Sequence, residues 1–471
     1  MFLYALGLGC IISSFWLFYL QGPLLAPVCA LWNISAQLPF LYFLSSMSLT
    51  YLLLAQAIKV RSLRNKKNIL TICGLVLSAA PLLTAVLPSF GLVHDQPLVI
   101  YLLAASSGAA QAIFFTAWME TIAACGLRQS CIIAGIAFLI GGCTASLGQL
   151  VNYLWLLPIL TLLPLVSLVC LLHPLPTVLF VSKDYPHTNT VRLFPQKLII
   201  SLALVYLNGG IMLHILDLEQ SYPHLFHWSY LAYVLFCPAM GLLLYTNENI
   251  DLRFMYRILL PLMFTGFMIF GFQESILQLA AFGLLQGGSA LINMYVWLLF
   301  PYFARFSCRP AAVCAYGNFI ISLCIINGGF IADLLTTVLL NSHNVRELAF
   351  TACIISAVLV FLFPGEKETF AGWQTVFAPE PLEPAYLPTS LDISATAEFP
   401  YELDKFALSK RELEVLVLLI KGRNGRFISE ALNISGNTVK THIRNIYGKL
   451  SVNDRQQLLS LFDNSETNIS K

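Results

Sequence analysis

Residues 435–450 read SGNTVKTHIRNIYGKL, and this stretch decides the fold of the C-terminal part of the chain. Its apolar residues recur at helical spacing: Val439, Ile443, Ile446 and Leu450. The opposite face carries long cations and short polar groups: Lys440, Thr441, Arg444 and Asn445. Two cations one helical turn apart, flanked by short polar groups, suit the base edges and phosphates of a DNA major groove. The stretch therefore predicts an amphipathic helix with one buried and one DNA-facing side.

Three further helices are predicted around this one. Upstream, Ser409 and Glu412 have the spacing of a capping box at a helix N-terminus. The apolar residues that follow at helical spacing are Leu413, Leu416, Val417 and Ile420. A short second helix would turn inward with Ile428, Ala431 and Leu432, and Ser435 would cap the third. A fourth amphipathic helix would contain Val452, Leu458, Leu459 and Phe462. Residues 408–463 hold nine Lys and Arg against five acids, which gives a net charge of +4.

These residues resemble the LuxR-type helix-turn-helix family. Its pattern appears as L-S-x-R-E-x-E-V-L at 408–416, S-x-x-T-V-K-x-H at 435–442 and Y-x-K-L at 447–450. The resemblance implies that the groove-reading residues are Lys440, Thr441 and Arg444. It implies that the phosphate contacts are Thr438, Lys449 and Arg423. It also implies a homodimer on promoter DNA through the fourth helix, at Leu458, Leu459 and Phe462. Gly425 and Phe427 depart from the family's usual polar and acidic residues in the second helix.

The segment 364–407 has a different composition. Five prolines fall between Pro379 and Pro400, and eight acids against two bases give a net charge of −6. A Pro-rich, acidic segment of this kind is typical of an extended tether. We therefore predict a membrane domain at 1–363, a linker at 364–407, the DNA-binding domain at 408–463 and a short tail at 464–471.

The first 363 residues account for the apolar composition of the chain. Of the 471 residues, 58% are hydrophobic and 11% charged, and the mean hydropathy is +0.76. This excludes a soluble multi-domain enzyme and a secreted disulfide module, and it indicates apolar spans of about 20 residues. Twelve spans are predicted: 2–20, 36–58, 69–88, 98–121, 130–150, 154–172, 198–216, 228–245, 254–272, 276–300, 311–331 and 346–363. The first is interpreted as a retained span, since no basic residue precedes it and no convincing cleavage signal follows it.

Basic residues predict the orientation of these spans. With the N-terminus in the cytoplasm, the inner connections hold thirteen Lys and Arg and the outer ones only Arg346. This asymmetry is the positive-inside pattern of a multi-pass protein of the cytoplasmic membrane. An even number of spans returns the C-terminus to the cytoplasm, where a DNA-binding domain meets its partner.

The layout resembles the major facilitator superfamily of transporters, with two six-helix halves around a cytoplasmic central loop. The resemblance covers about 1–363 and rests on layout. The loop between the second and third spans reads AIKVRSLRNKK, which has the family's basic residues but lacks its Gly and Asp. The predicted fold is therefore all-α: a 6+6 transmembrane bundle followed by a soluble four-helix domain.

The middle of the predicted spans contains neutral polar residues and no Asp, Glu, Lys or Arg. The polar residues are Gln111, Asn208, Gln286, Asn293 and Asn318, and nearby aromatic residues are Trp118, Tyr295 and Trp297. One interpretation is hydrogen bonding between helices. The other is a pocket between the halves, which would suit an uncharged, weakly polar ligand with aromatic character.

Two functional hypotheses follow. The first is a one-component regulator whose membrane domain senses a small molecule and whose C-terminal domain binds promoter DNA. The second is a secondary transporter with a regulatory DNA-binding tail. We do not expect an enzyme, because the sequence shows no nucleophile–base set and no phosphate-binding loop. The scattered cysteines support neither a metal site nor a disulfide framework, and no cofactor is predicted.

Overall fold

The computed structural model of the 471-residue chain forms two compact units, Met1–Pro381 and Leu382–Lys471. The structure describes residues 1–18, 28–30, 32, 37–56, 62–90, 98–173, 196–218, 230–246, 253–270, 275–305, 307, 309–339, 349–352, 354, 408–420, 428–429, 432, 435–450, 452 and 457–458. The predicted linker 364–407 and the predicted tail 464–471 lie outside these residues. The four domain boundaries accordingly remain predictions.

The described part of the first unit contains eleven long helices. They are α1 (Phe2–Phe18), α2 (Gln37–Gln56), α3 (Lys67–Val86), α4 (Leu98–Ala123), α5 (Leu127–Gly148), α6 (Tyr153–Leu172), α7 (Gln196–Leu218), α8 (Leu231–Thr246), α9 (Arg253–Phe270), α10 (Ser275–Ala304) and α11 (Pro310–Leu334). Each matches a predicted span to within about one helical turn. A 3₁₀ turn at Leu87–Phe90 extends α3, and a π turn at Leu335–Leu339 extends α11. Residues 349–352 of the predicted twelfth span are helical, and most of that span lies outside the described residues.

The composition of these helices is that of a membrane bundle. Within the described ranges, seven are long and apolar enough to cross a membrane, and four shorter apolar helices accompany them. Large apolar side chains also point outward: Leu53, Ile72, Trp155 and Val169 are all more than half exposed. In lipid, an outward apolar side chain costs nothing, and a helix satisfies its own backbone hydrogen bonds. The predicted all-α transmembrane bundle is confirmed.

Several helix pairs join the halves of the bundle, and two of them are the most extensive. In the first half, α1 packs against both α5 and α6, and α2 packs against α4. In the second half, α7 packs against α11, and α9 packs against α10. Contacts of α2 with α11 and of α5 with α8 connect the two halves. Gly241 permits the second contact, since a Cβ added there would lie 2.7 Å from the carbonyl oxygen of Cys131. Small residues let helix backbones approach this closely.

The second unit has its own apolar core between α12 (Lys410–Ile420) and α13 (Gly436–Leu450). Its buried side chains are Val415, Leu416, Leu419, Ile428, Leu432, Val439, Ile446, Leu450, Val452 and Leu458. The predicted inner face of α13 is confirmed, with Ile443 partly buried. The apolar face predicted for α12 is confirmed at Leu416 and is wrong for two of its other residues. Leu413 and Val417 are only partly buried, because the inward face contains Glu412, Val415, Leu416 and Leu419.

Candidate functional site

The N-terminus of α13 is held by the predicted cap. The backbone N–H of Thr438 donates to the Ser435 hydroxyl at 3.1 Å, and the two hydroxyl oxygens lie 2.7 Å apart. The cap satisfies one of the N–H groups that a helix start leaves without an intrahelical partner. Thr438, a predicted phosphate contact, therefore sits exposed at the first turn, where the helix N-terminus favours anions.

The outward face of α13 presents the predicted groove-reading residues. Lys440, Thr441, Arg444 and Asn445 are all exposed, on the side opposite the buried Val439 and Ile446. The Thr441 hydroxyl donates to the Asn437 carbonyl at 3.0 Å, which fixes its rotamer along the helix. The arrangement can present two cations and two short polar groups to a DNA groove. Arg423, also predicted to contact phosphate, lies outside the described residues.

A hydrogen-bond network connects α12 to the end of α13, and only its part at the start of α12 was predicted from the sequence. The Ser409 N–H donates to the Glu412 carboxylate at 2.8 Å and the Glu412 N–H donates to the Ser409 hydroxyl at 3.2 Å, so the predicted capping box is confirmed. Lys449, predicted to contact phosphate, also donates to the Glu412 carboxylate at 2.7 Å. The hydrogen bond and charge of Lys449, with the Ser409 N–H, lower the pKa of Glu412 to about 2. Glu412 is only 4% exposed, and these partners explain why a carboxylate can lie on the inward face of α12.

One of the three predicted dimerisation residues, Leu458, is corrected by the structure. Leu458 is fully buried against the domain's own core. A side chain enclosed in its own domain has no surface to offer a second copy, so Leu458 is a core residue instead of a dimer contact. Leu459 and Phe462 lie outside the described residues.

The first unit contains a cavity of about 180 Å³ between its halves. Gln286 and Asn293 line it, together with Asn318 and Trp297, and these four positions agree with the predicted pocket. The other predicted residues do not line it. Trp118 is fully buried and donates to the Ser167 hydroxyl at 2.9 Å, and Asn208 donates to the Ala352 carbonyl at 3.3 Å. Gln111 is buried, and Tyr295 is too; these residues belong to helix packing.

The cavity wall combines aromatic rings with a hydrogen-bonded amide. The Asn293 amide donates to the Tyr233 hydroxyl at 2.8 Å and accepts from the Tyr206 hydroxyl at 3.2 Å. Trp16 of the first half lies against Tyr233 of the second, with ring centroids 4.4 Å apart. Phe115 meets Trp297 edge to face at 5.2 Å. Neither tyrosine was predicted, because a single aromatic residue in an apolar span carries no signal of what it faces.

Arg305 links the halves at the end of the bundle that contains residues 62–66. From the end of α10, its guanidinium donates to the Ala123 carbonyl at 3.0 Å, to the Cys125 carbonyl and to the Ser130 hydroxyl at 3.3 Å. Within the last turn of α4, the buried Glu120 accepts from the backbone N–H groups of Leu63 and Arg64 at 2.9 and 3.3 Å. A cation at a helix C-terminus is stabilised by the carbonyls there. This end of α4 is thus fastened by both its own half and the opposite one.

The two units define a class of protein: a membrane protein that carries a helix-turn-helix domain. Residues 407–462 match the family described as bacterial regulatory proteins, luxR family. The same region is 48% identical over 60 residues to the transcriptional regulatory protein DegU of Brevibacillus brevis, covering 13% of this chain and 25% of that protein. It is 53% identical over 51 residues to the transcriptional regulatory protein LiaR of Bacillus subtilis, covering 11% and 24%.

A longer match reaches the response regulator protein VraR of Staphylococcus epidermidis, 38% identical over 91 residues, or 19% of this chain and 39% of that one. The chain therefore spans well under half the length of these relatives. Among solved structures, the human organic anion transporter MFSD10 (TETRAN) aligns with a TM-score of 0.57 at 14% identity, covering 77% of this chain and 98% of that one. The C-terminal domain is thus LuxR-type, and the membrane unit has the predicted major-facilitator-like fold.

Proposed function

We propose that the chain is a membrane-embedded, one-component transcriptional regulator. Its membrane unit senses a small molecule, and its C-terminal domain binds promoter DNA as a homodimer. The protein lies in the cytoplasmic membrane as a multi-pass protein with both termini in the cytoplasm. The observation that carries the proposal is the exposed face of α13, with Lys440 and Arg444 over a packed apolar core, in the same chain as a bundle that contains a cavity.

In this proposal, Lys440, Thr441 and Arg444 contact base edges, with Asn445 beside them. Thr438, Lys449 and Arg423 contact phosphates. Lys449 would act from its ion pair with Glu412, which holds the ammonium group at the end of α13. Phosphate contacts of this kind position the domain on DNA, whereas the groove-facing side chains supply the sequence information.

A direct test uses the second unit alone, Leu382–Lys471, because it has its own core. We expect it to bind duplex DNA with an affinity that falls steeply as salt rises, since each neutralised phosphate releases counterions. A titration from about 50 to 200 mM salt measures the slope. An affinity indifferent to salt would contradict DNA binding through this cationic face.

The alternative is a secondary transporter with a regulatory tail. The fold of the membrane unit favours it, since the similar solved structure is a transporter, and the cavity lies between the two halves as a transport site would. A deletion of residues 408–471, with transcript profiles and uptake assays on the same cells, separates the two. Regulation alone predicts altered transcripts, with uptake no greater than in cells that lack the whole chain. Uptake that depends on the membrane unit and persists after the deletion supports the alternative.

A further inference from the structure

One helix supplies a polar stripe to the cavity. Gln286, Ser289 and Asn293 of α10 follow one another at spacings that place them on one face, and all three line the cavity. Aromatic side chains line it from both halves of the bundle, as with Trp16 from the first half and Tyr233 from the second.

The members of this stripe differ in whether their polar groups are already bonded. The Asn293 amide is held between the two tyrosine hydroxyls, and the Ser289 hydroxyl lies 3.8 Å from the Met212 sulfur. Asn318, across the cavity, donates to the Cys314 carbonyl at 3.0 Å. Gln286 is different: it is only 8% exposed, yet among the described residues its carboxamide makes no hydrogen bond. A buried amide without a partner is costly, and in a cavity wall it is free to bond a ligand.

The remaining walls restrict the shape and charge of that ligand. None of the lining residues that the structure describes carries a charge at neutral pH, so an ionised ligand would find no counter-charge among them. The volume of about 180 Å³ is close to that of the cavity of about 150 Å³ that admits benzene in another protein. A compound of one or two rings fits this space, and planar rings pack well against aromatic walls.

We propose that Gln286 selects a compact, uncharged, planar ring compound with an amide-like edge, in which a hydrogen-bond donor and an acceptor stand side by side. A carboxamide presents the complementary pair, an N–H beside a C=O, and can bond both at once. The inference rests on the proposed sensing function of the cavity and adds the class of ligand and the residue that recognises it.

The test compares three probes on the purified full-length protein in detergent. 2-Quinolinone has the adjacent N–H and C=O, N-methyl-2-quinolinone has lost the donor, and quinoline keeps the fused rings with an acceptor only. Quenching of tryptophan fluorescence can report binding, since Trp16 and Trp297 line the cavity. We expect 2-quinolinone to bind about tenfold more tightly than either analogue, as one lost hydrogen bond predicts.

The variants decide the role of the amide. Gln286→Met keeps the length of the side chain and should bring the three affinities together, and Gln286→Leu is a second variant should the first fail to fold. Gln111→Met is the matched control, because Gln111 is a buried amide that does not line the cavity; it should leave the preference intact. Equal affinities in the wild-type protein, or a preference that survives both Gln286 variants, overturns the proposal while leaving the cavity as a binding site. Absence of binding by all three probes overturns the ligand class and counts against the sensing function as well.

Discussion

Lys440 and Arg444 are exposed on α13, where they would meet base edges. We expect Lys440→Ala and Arg444→Ala to reduce the difference in affinity between specific and nonspecific DNA by about 1–3 kcal/mol each, the worth of a good base contact. Arg411→Ala is the control, since it removes the same charge from α12, where Arg411 pairs with Glu414. Competition titrations with the two kinds of DNA measure the effect. A uniform loss on both DNAs for all three variants would mean that another face of α13 enters the groove.

Glu412 predicts how the stability of the C-terminal domain depends on pH. Its pKa is lowered from 4.5 to about 2 in the folded domain, so the unfolded chain binds this proton more readily than the folded one. The stabilisation is therefore complete above about pH 4.5 and is lost as the pH falls towards 2. We expect Glu412→Gln to lower the free energy of unfolding by about 1–2 kcal/mol at neutral pH and to flatten the acid limb of the profile. Urea unfolding at a series of pH values is the measurement, with Glu414→Gln on the same helix as the control.

At the scale of single residues, contacts between positions close in sequence could be predicted, and contacts between positions far apart in sequence could not. The Ser409–Glu412 capping box and the Ser435 cap follow from spacings of three residues, which a helix start converts into contacts. The Glu412–Lys449 pair joins residues 37 positions apart, and no short motif encodes such a contact. Leu458 was misassigned for a related reason: an apolar side chain on an amphipathic helix looks the same in sequence whether it faces its own core or a second copy.

At the scale of elements, paired glycines in α11 give a matched test of helix packing. A Cβ added to Gly328 would clash with the carbonyl oxygen of Leu207 in α7 and would lie 3.0 Å from the Cα of Gly210, whereas one added to Gly329 would meet nothing within 4 Å. We expect Gly328→Ala to destabilise the bundle by about 1–3 kcal/mol. Gly329→Ala should be neutral or slightly stabilising, since alanine favours a helix. Apparent melting temperatures of the full chain in detergent compare the two, and equal behaviour would contradict the close approach of α7 and α11.

The elements themselves were largely predictable from sequence, but their rotations were not. Runs of about 20 apolar residues can only be satisfied as helices in lipid, which is why the described helices match the predicted spans. A helix that is apolar on every side gives no indication of which face lies inward. For that reason, the sequence could not distinguish Gln286 and Asn293, which line the cavity, from the residues that pack elsewhere: Gln111, Trp118 and Asn208.

At the scale of the whole molecule, the composition of the connecting segment limits how a signal could pass between the units. Residues 364–407 are Pro-rich and acidic, and a tether of this composition transmits torque poorly. It does set the effective concentration of one tail near another, which depends on its length and on the distance between its anchors. A ligand can change that distance only if it binds two states of the membrane unit with different affinity. The contacts of Arg305 between the halves are one place where such states could differ.

Ligand binding should therefore change DNA occupancy by altering how often two C-terminal domains meet, with the chain left intact. Helix-turn-helix pairs read half-sites about one turn of DNA apart, so pairing of the domains decides occupancy. Gln457→Cys offers a crosslinking site, because Gln457 is exposed and adjoins the buried Leu458 on the described part of the fourth helix. With an inducing compound, we expect the yield of crosslinked dimer to change while immunoblots show only the full-length chain. A soluble C-terminal fragment that appears with inducer, together with an unchanged crosslinking yield, would replace this mechanism with proteolytic release.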